Sequence, residues 1–332
     1  MSEPLPFHGG RISDACARFG GKAEDWLDLS TGINPNAWPP PDFASPDWRA
    51  LPDPGELARL ESTAAAYFGT DPSLCLAVPG SEAGLRAVAR ILRLPARHLP
   101  LTYSTHKQAF AHAEPITGIE GAGRSPSVLV LANPNNPDGA LIPREVLLAA
   151  LEKQERYSGW LIVDEAFVDC APEWSVADCV TENRRLIVTR SFGKFFGLAG
   201  VRLGFVLAPS DVLAQLRQMQ GEWPVCAAAL SFGTRAYADS DWIARTRAAL
   251  PAAAAQLDEV LVRHGLARRG GSPLFRLVEA SRAAQVFTAL ANLRILTRPF
   301  ADHPQLLRFG LPRDVEDLAR LDTALGQTDG HG

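Results

Sequence analysis

A lysine in the second half of the chain has a hydroxyl shortly before it and an arginine shortly after it, in the segment Ser-Phe-Gly-Lys-Phe-Phe-Gly-Leu-Ala-Gly-Val-Arg. Lys194 lies in an apolar, glycine-rich turn, where an ammonium is poorly hydrated and readily loses its proton. A neutral lysine amine can form a Schiff base with an aldehyde. Ser191 and Arg202 add a hydroxyl and a guanidinium fork, which are suited to phosphate. These residues together indicate an aldehyde cofactor that carries a phosphate, namely pyridoxal 5′-phosphate (PLP).

A carboxylate stands at the end of a short apolar run. Asp164 follows residues 160–163, which read as a buried strand, and open α/β sheets bind ligands at the carboxyl ends of their strands. A carboxylate there can keep the pyridine nitrogen of PLP protonated, so that the ring accepts electrons from a carbanion. The same aspartate can instead be the N-cap of a helix.

Two further segments have the composition of ligand-binding turns. Residues 132–139 follow another apolar run and hold Asn136 in a proline-rich turn, where its amide can reach the cofactor's ring oxygen or only serve the turn. Gly80, Ser81 and Glu82 open a helical stretch that runs to about residue 94, and a helix N-terminus attracts phosphate. Ser81 is equally compatible with an ordinary N-cap.

Two basic side chains complete the set of candidates. His106 can lie flat against the pyridine ring, or it can be a partly buried histidine with one satisfied nitrogen. Arg308 stands in a strand-like apolar run, where a carboxylate partner would make its burial tolerable. That partner can be a substrate or a structural carboxylate.

The elements that must position these side chains follow from hydrophobic periodicity. Helical stretches at residues 56–68 and 144–157 alternate with apolar runs at residues 127–132, 160–163 and 186–189, which predicts a largely parallel sheet. Beyond residue 224 the order is helix to residue 263, strand 274–278, helix 281–292 and strand 306–309, a smaller α+β lobe. We therefore expect an N-terminal arm at residues 1–50, a large domain at 51–223 and a small domain at 224–332.

Composition restricts the classes of function. A net charge of -4 and a pI near 6.0 give no basic field for nucleic acid in this chain of 332 residues. The cysteines are odd in number, scattered and without a C-x-x-C pair, which favours a reduced compartment and predicts no metal site. No signal peptide or membrane-spanning run is recognisable, so we expect a cytoplasmic protein with no nucleic-acid or membrane partner.

The segments discussed above occur in a fixed order along the chain: residues 80–82, 133–137, 164–167, Ser191 with Lys194, and Arg202. In this order they resemble the fold-type I, aspartate-aminotransferase-like PLP enzymes, and the resemblance covers nearly the whole chain. The resemblance implies an α/β large domain with a mostly parallel seven-stranded sheet, a smaller α+β domain and an active site at a homodimer interface. It implies that Lys194 and Asp164 are catalytic and that PLP is bound by Gly80, Ser81, Glu82, His106, Asn136, Asp164, Phe167, Ser191, Lys194 and Arg202. The substrate residues that it implies are His8, Gly32, Ile33, Asn34, Asn136, Arg298 and Arg308.

Within that family, residues 8–10, 27–35 and 307–312 resemble the threonine-phosphate decarboxylases of cobalamin biosynthesis, relatives of histidinol-phosphate aminotransferases. This implies decarboxylation of a phosphorylated amino acid, O-phospho-L-threonine, to (R)-1-amino-2-propanol O-phosphate. An aminotransferase of the histidinol-phosphate type would use the same lysine and phosphate grip. A non-catalytic PLP-fold sensing domain is the third possibility, and the intact Lys194 and Asp164 argue against it.

Three positions depart from the commoner family pattern. His106 and Phe167 stand where tyrosines are frequent beside the cofactor ring, and Leu51 stands where relatives often place a tyrosine that reaches the partner's phosphate. Arg298 and His8 are candidate anchors for the substrate phosphate. Arg298 can equally be a solvated charge, and His8 can belong to a disordered arm.

Overall fold

The computed structural model describes residues 9–38, 46–119 and 125–329, so His8 lies outside the described residues. These residues divide into two compact units. The large unit is Ala37–Asn136 with Ala140–Arg245, and the small unit holds the described residues up to Asn36, Pro137–Gly139, and those from Thr246 onward. Residues 224–245, which the sequence assigned to the small domain, fall in the large unit because the helix Ala227–Ala238 packs against the helix Pro54–Phe68 of that unit.

The described helices agree with the predicted stretches and add others. They are α1 Ile12–Phe19, α2 Pro54–Phe68, α3 Ser81–Leu92, α4 Ser104–Gln108, α5 Arg144–Arg156, α6 Ser210–Gln220, α7 Ala227–Ala238, α8 Ser240–Arg263, α9 Ala283–Asn292 and α10 Val315–Asp329. The described strands are β1 Leu27–Asp28, β2 Cys75–Val78, β3 Ala96–His98, β4 Ala113–Pro115, β5 Val128–Ala132, β6 Trp160–Asp164, β7 Leu186–Ser191, β8 Gly204–Leu207, β9 Arg268–Ser272, β10 Phe275–Glu279, β11 Ile295–Leu296, β12 Arg298–Pro299 and β13 Leu306–Gly310.

The large unit is built on a seven-stranded sheet whose order, among the described strands, is β2-β8-β7-β6-β5-β3-β4. β8 runs antiparallel to both β2 and β7, and the remaining neighbours pair in parallel. β5, β7 and β8 are buried at every position, as expected for strands covered on both faces. The fold-type I architecture and the mostly parallel sheet expected from the sequence are confirmed.

The helices of the large unit begin and end where local chemistry predicts. Asp53 accepts hydrogen bonds from the backbone N–H groups of Gly55 and Glu56 at 2.7 and 3.1 Å and caps α2, which ends at Gly69 in a left-handed conformation. One core cluster then joins apolar side chains of α3 and α6 to the sheet. It includes Leu85, Val88, Leu213 and Leu216, each almost wholly buried. This packing holds the N-terminus of α3 at the edge of β8.

The small unit contains a four-stranded antiparallel sheet of order β12-β13-β10-β9 and a parallel pair of β1 with β11. Residues 1–50 were expected to form an extended arm with little packing. That expectation is wrong for Ile12–Phe19, which form α1, and for Trp26 and Leu29, which are buried. α1 has only Ala15 as a buried residue, so its apolar signal in the sequence is weak.

No helix in the described ranges combines the length and the apolar composition that crossing a membrane requires.

Candidate active site

Asp164 ends β6 and is held by a neighbour on the adjoining strand. Its position pairs with Thr189 of β7, and the Thr189 hydroxyl donates to Oδ1 of Asp164 at 3.0 Å. The carboxylate is 7% exposed. The next helical turn, Val168–Cys170, has Phe167 rather than Asp164 at its N-cap. Asp164 is therefore a fixed acceptor at the carboxyl end of a parallel strand and does not cap a helix.

His106 lies beside Asp164 and has no exposed surface. Its Nε2 is 3.3 Å from Oδ2 of Asp164, and its Nδ1 is 2.8 Å from the hydroxyl of Thr102 on the preceding turn. Both ring nitrogens thus have partners and neither ring face is open. A histidine lying flat against a cofactor would need an open face, so this placement does not favour the stacked position, which stays a prediction for His106.

Tyr103 is an aromatic side chain near Asp164 that was not predicted from the sequence. Its ring stands edge-on to that of His106, with centroids 5.7 Å apart and an interplanar angle of 87°, and its hydroxyl donates to Oε2 of Glu82 at 3.3 Å. Burial, together with the negative charges of Glu82 and Asp164, raises the pKa of the Tyr103 phenol. The signal was present in the sequence, since Tyr103 directly precedes α4.

Lys194 lies in a turn that its aromatic neighbours fasten to the core. Phe192, Phe195 and Phe196 are wholly buried, whereas Lys194 is only half-buried. The Lys194 ammonium nitrogen lies 6.0 Å from the ring centroid of Phe167, which is itself buried. The flanking phenylalanines thus anchor the backbone of this turn in the core, and the Lys194 ammonium lies near an apolar ring.

A second group of residues meets at the N-terminus of α3. Gly80 is the N-cap, with φ +95° and no side-chain capping bond, so Ser81 is the first helical residue and is not the N-cap. A Cβ built on Gly80 would lie 2.6 Å from Nη2 of Arg202, and one on Gly204 would lie 2.3 Å from the backbone nitrogen of Ser81. Ser191 pairs with Gly204 across β7 and β8. A helix N-terminus, a hydroxyl and a guanidinium thus share one cradle, which suits a phosphate.

The carboxylate of Glu82 is occupied by donors of the protein, which does not favour a role as a direct cofactor ligand. Oε1 of Glu82 accepts from Arg86 at 2.9 Å and from the Thr105 hydroxyl at 3.2 Å, in addition to the bond from Tyr103 to Oε2. Burial acts to raise the pKa of Glu82, but these donors outweigh it and the pKa is lowered. The carboxylate joins the first turn of α3 to the start of α4.

The asparagine loop divides its side chains between the turn and the site. Asn133 bonds the backbone of Ile142 in both directions, at 3.1 and 2.9 Å, and the Asn135 amide donates to the Leu101 oxygen at 3.0 Å. Asn133 thus serves the turn, and Asn135 connects the turn to the segment that precedes α4. Asn136 follows them, half-buried, beyond the carboxyl end of β5, which pairs with β6 at the position of Asp164.

The small unit places two arginines opposite each other. Arg298 of β12 pairs with Arg308 of β13 in the antiparallel register. Arg308 is 2% exposed, and its Nη2 donates to the backbone oxygen of Ser30 at 2.9 Å. Burial and the charge of Arg298 lower the pKa of the Arg308 guanidinium, which Asp28 partly opposes. Like charges directly across a strand pair repel, so this pair of arginines favours a bound anion.

Residues 32–34, near the start of the described chain, are further residues predicted to bind the substrate. Gly32 and Asn34 are buried and Ile33 is half-buried. The Asn34 side chain accepts the backbone N–H of Asn36 at 3.0 Å. Gly310, at the end of β13, donates its N–H to the Leu29 oxygen at 2.7 Å, which fixes the segment against the strand that bears Arg308.

Comparison with known proteins shows the family to which the chain belongs. The family described as aminotransferase class I and II matches residues 116–321. The chain belongs to this family. It is 41% identical over 98% of its length to the threonine-phosphate decarboxylase of a Sinorhizobium species, covering 99% of that protein. It is 40% identical over 96% of its length to the threonine-phosphate decarboxylase of Pseudomonas aeruginosa, covering 96% of it.

Among solved structures, the histidinol-phosphate aminotransferase of Sinorhizobium meliloti in complex with pyridoxal 5′-phosphate superimposes with a TM-score of 0.84. The alignment covers 99% of this chain and 96% of that one at 20% identity, so it supports the fold. The resemblance to class I and II aminotransferases drawn from the sequence is confirmed.

Proposed function

We propose that the protein is a PLP-dependent lyase that decarboxylates O-phospho-L-threonine to (R)-1-amino-2-propanol O-phosphate, for cobalamin biosynthesis. The observation that carries the proposal is the 41% and 40% identity, over nearly the whole chain, to threonine-phosphate decarboxylases. Relatives that are histidinol-phosphate aminotransferases are less similar, at 28% and 30% identity.

The large unit has a donor set that fits PLP. The uncapped N-terminus of α3 with Ser81, Ser191 and Arg202 suits a phosphate, and the close approach at Gly80 and Gly204 keeps side chains out of that space. Asp164 would pair with the protonated ring nitrogen, Asn136 with the ring hydroxyl, and Lys194 would bind the aldehyde carbon. Tyr103, rather than His106, is the aromatic side chain that we assign to the ring face.

When bound, the cofactor supplies an electron sink for the pair of electrons left by departing carbon dioxide. Asp164, fixed by Thr189 and His106, would keep a proton on the ring nitrogen. The Lys194 amine would return a proton to the same substrate carbon, since the buried phenylalanines beside it fix the turn that carries it. Protonation at that carbon yields the amine product.

Arg308 would bind the substrate carboxylate. Arg298 would bind the substrate phosphate, together with His8 and residues 32–34. The two opposed guanidiniums support this assignment, because a substrate with two anionic groups relieves their repulsion. Anchoring both groups determines which bond of the substrate carbon stands perpendicular to the cofactor ring. Decarboxylation requires that bond to be the one to the carboxylate.

We also propose a cytoplasmic homodimer that binds neither nucleic acid nor membranes. Trp48 and Leu51, in the segment before α2, are 66% and 67% exposed, and exposed apolar side chains of this size favour an interface. All five cysteines are free thiols, which is compatible with a reducing compartment. Sedimentation is expected to give a dimer, and an active monomer would contradict this part of the proposal.

The deciding assay incubates the PLP-loaded protein with O-phospho-L-threonine. We expect carbon dioxide and aminopropanol phosphate without any 2-oxo acid. Formation of glutamate from histidinol phosphate and 2-oxoglutarate would support the aminotransferase alternative instead. A protein that binds PLP but converts no phosphorylated amine would be a sensing domain.

A matched pair of variants tests the phosphate anchor. Arg298→Gln is expected to raise KM for phosphothreonine by about 10- to 100-fold, the value of a charge-assisted hydrogen bond. Arg313→Gln, at an exposed arginine paired with Asp314 on the same unit, is the control and should leave KM unchanged. Equal KM values for the two variants would remove Arg298 from the assignment.

A further inference from the structure

Arg190 is a buried charge that the proposed reaction does not use directly. It lies on β7 between Thr189, which bonds Asp164, and Ser191, and it is 3% exposed. Because side chains alternate along a strand, Arg190 points to the sheet face opposite to its two neighbours. Its guanidinium there stacks on the ring of Phe68, 4.3 Å from the centroid.

Two buried carboxylates bind this guanidinium. Nη1 of Arg190 donates to Oε2 of Glu165 at 3.1 Å, and Nη2 donates to Oδ1 of Asp169. Glu165 has no exposed surface, and Asp169 is 1% exposed. The three residues, called here the Arg190 triad, connect β7 with the loop that follows β6.

The contacts of Glu165 indicate an ionised carboxylate. Besides Arg190, the Ser175 hydroxyl donates to Oε2 at 2.6 Å and the Val176 N–H donates to Oε1 at 2.7 Å, so each recorded partner is a donor. Burial raises the pKa of Glu165, while Arg190 opposes the rise. The triad therefore keeps charges in the interior where their desolvation is costly.

Stability alone is a weak reason for such a cluster, because buried ionic triads can often be replaced by uncharged side chains without loss of stability. What the triad provides is fixed geometry. Glu165 directly follows Asp164, Phe167 lies between Glu165 and Asp169, and Arg190 directly precedes Ser191. Each member of the triad is thus one or two residues from a side chain of the proposed cofactor site.

We propose that Arg190, with Glu165 and Asp169, is a positioning clamp that holds Asp164, Phe167 and the Ser191 to Lys194 turn in the geometry that binds the cofactor. The clamp acts from the reverse face of the sheet and touches neither cofactor nor substrate. The inference rests on the proposed function for the identity of the cofactor.

The test compares a charge-free triad with the natural one. The variant Arg190→Met/Glu165→Gln/Asp169→Asn leaves no uncompensated buried charge, so we expect the apoprotein to keep a thermal midpoint close to that of the wild type. Its dissociation constant for PLP, measured by fluorescence, should rise about 10- to 100-fold, the cost of displacing binding groups by roughly an ångström. In the loaded enzyme, kcat should fall while KM for phosphothreonine stays unchanged.

The control removes another ion pair of the large unit. Arg217 binds Glu61, which also accepts the Ala77 N–H of β2, the third strand along the sheet from the β6 strand of Asp164. Arg217→Met/Glu61→Gln should leave the PLP dissociation constant unchanged. A triad variant with wild-type PLP affinity and kcat would overturn the clamp and leave the triad a structural feature.

A conservative variant decides the case if the triple variant does not fold. Arg190→Lys keeps the charge but cannot bind two carboxylates as a planar fork. The clamp predicts weaker PLP binding at a wild-type thermal midpoint, and unchanged binding would overturn it. Failure of the wild-type protein itself to bind PLP would instead reject the proposed function, so the two failures are distinguishable.

Discussion

At the scale of single residues, the site depends on side chains that are held rather than exposed. Phe192, Phe195 and Phe196, which flank Lys194 in the sequence, are wholly buried, and Thr189 and His106 bond the two oxygens of Asp164. A lysine on a turn anchored in this way loses little freedom when it reacts, because its backbone is already fixed. The chemistry we propose therefore follows from how these neighbours restrict two functional groups.

Lys194→Ala tests the lysine directly. We expect the variant to lose the visible absorbance of lysine-bound cofactor and to lower kcat by roughly 10²- to 10⁴-fold or more. Lys22→Ala, at an exposed lysine whose side chain is 79% accessible, should behave as the wild type. Retention of the absorbance by the Lys194 variant would refute the assignment.

Glu82 provides a pH-dependent stability. Its pKa is lowered in the folded state, so the stabilisation is present above its ordinary pKa and is lost as pH falls through the lower, folded value. Glu82→Gln should destabilise the protein by about 0.5 kcal/mol at pH 7, the size expected for a half-exposed ion pair. At an acidic pH below the folded pKa of Glu82, where the wild-type carboxyl is also neutral, the difference should vanish.

Unfolding curves at both pH values measure this effect, and the exposed Glu24→Gln is the control. An equal loss for Glu82→Gln at both pH values would mean that packing, rather than charge, accounts for its contribution.

At the scale of elements, the decisive arrangement is the junction of α3 with β8. α3 begins without a side-chain cap, so its first N–H groups are left for a ligand, and the antiparallel β8 brings Gly204 against Ser81. The absence of a side chain at Gly204 is what allows this approach. The cradle is therefore produced by two elements that are far apart in sequence.

Gly204→Ala is expected to displace the start of α3, because the new Cβ would lie 2.3 Å from the Ser81 nitrogen and 2.9 Å from the Arg190 oxygen. We expect the dissociation constant for PLP to rise about tenfold or more. Gly200→Ala is the matched control, since a Cβ there would meet no atom within 4 Å. Equal PLP affinity in both variants would contradict the phosphate cradle.

At the scale of the whole molecule, the large unit depends on a sheet buried on both faces and on an aromatic cluster behind it. Phe205 of β8 has no exposed surface and lies 5.4 and 5.7 Å, between ring centroids, from Phe68 and Tyr237. Such interiors are packed as densely as crystals, so the volume of each ring matters. The position of the site is thus coupled to core packing.

Phe205→Ala should lower the free energy of unfolding by about 3–5 kcal/mol, the cost of losing a buried ring and leaving a cavity. Met219→Ala, at a side chain that is 50% exposed, should change it by less than about 0.5 kcal/mol. Denaturant unfolding of both variants measures the difference. A small effect at Phe205 would show that the cluster can collapse into the space.

Much of the site was predictable because its signals are local. The glycine-rich turn around Lys194 and the strand before Asp164 were recognised in the sequence, and the strands at these positions have the predicted bounds within a few residues. The sequence did not single out Tyr103, because a choice between it and His106 depends on the direction in which each side chain leaves the start of α4. Sequence spacing does not determine that direction.

By itself the sequence predicted the chemistry proposed for this protein, from a lysine in a glycine-rich turn, an acid at a strand end and a helix start that suits a phosphate. Residue types and nearest-neighbour patterns carry that information, since propensity and alternation act over a few residues. Only the tertiary structure shows that Glu165 and Asp169 form ion pairs with Arg190, and that Arg298 lies opposite Arg308 on the neighbouring strand. These arrangements result from strand register and burial, which bring together residues that local pattern does not relate.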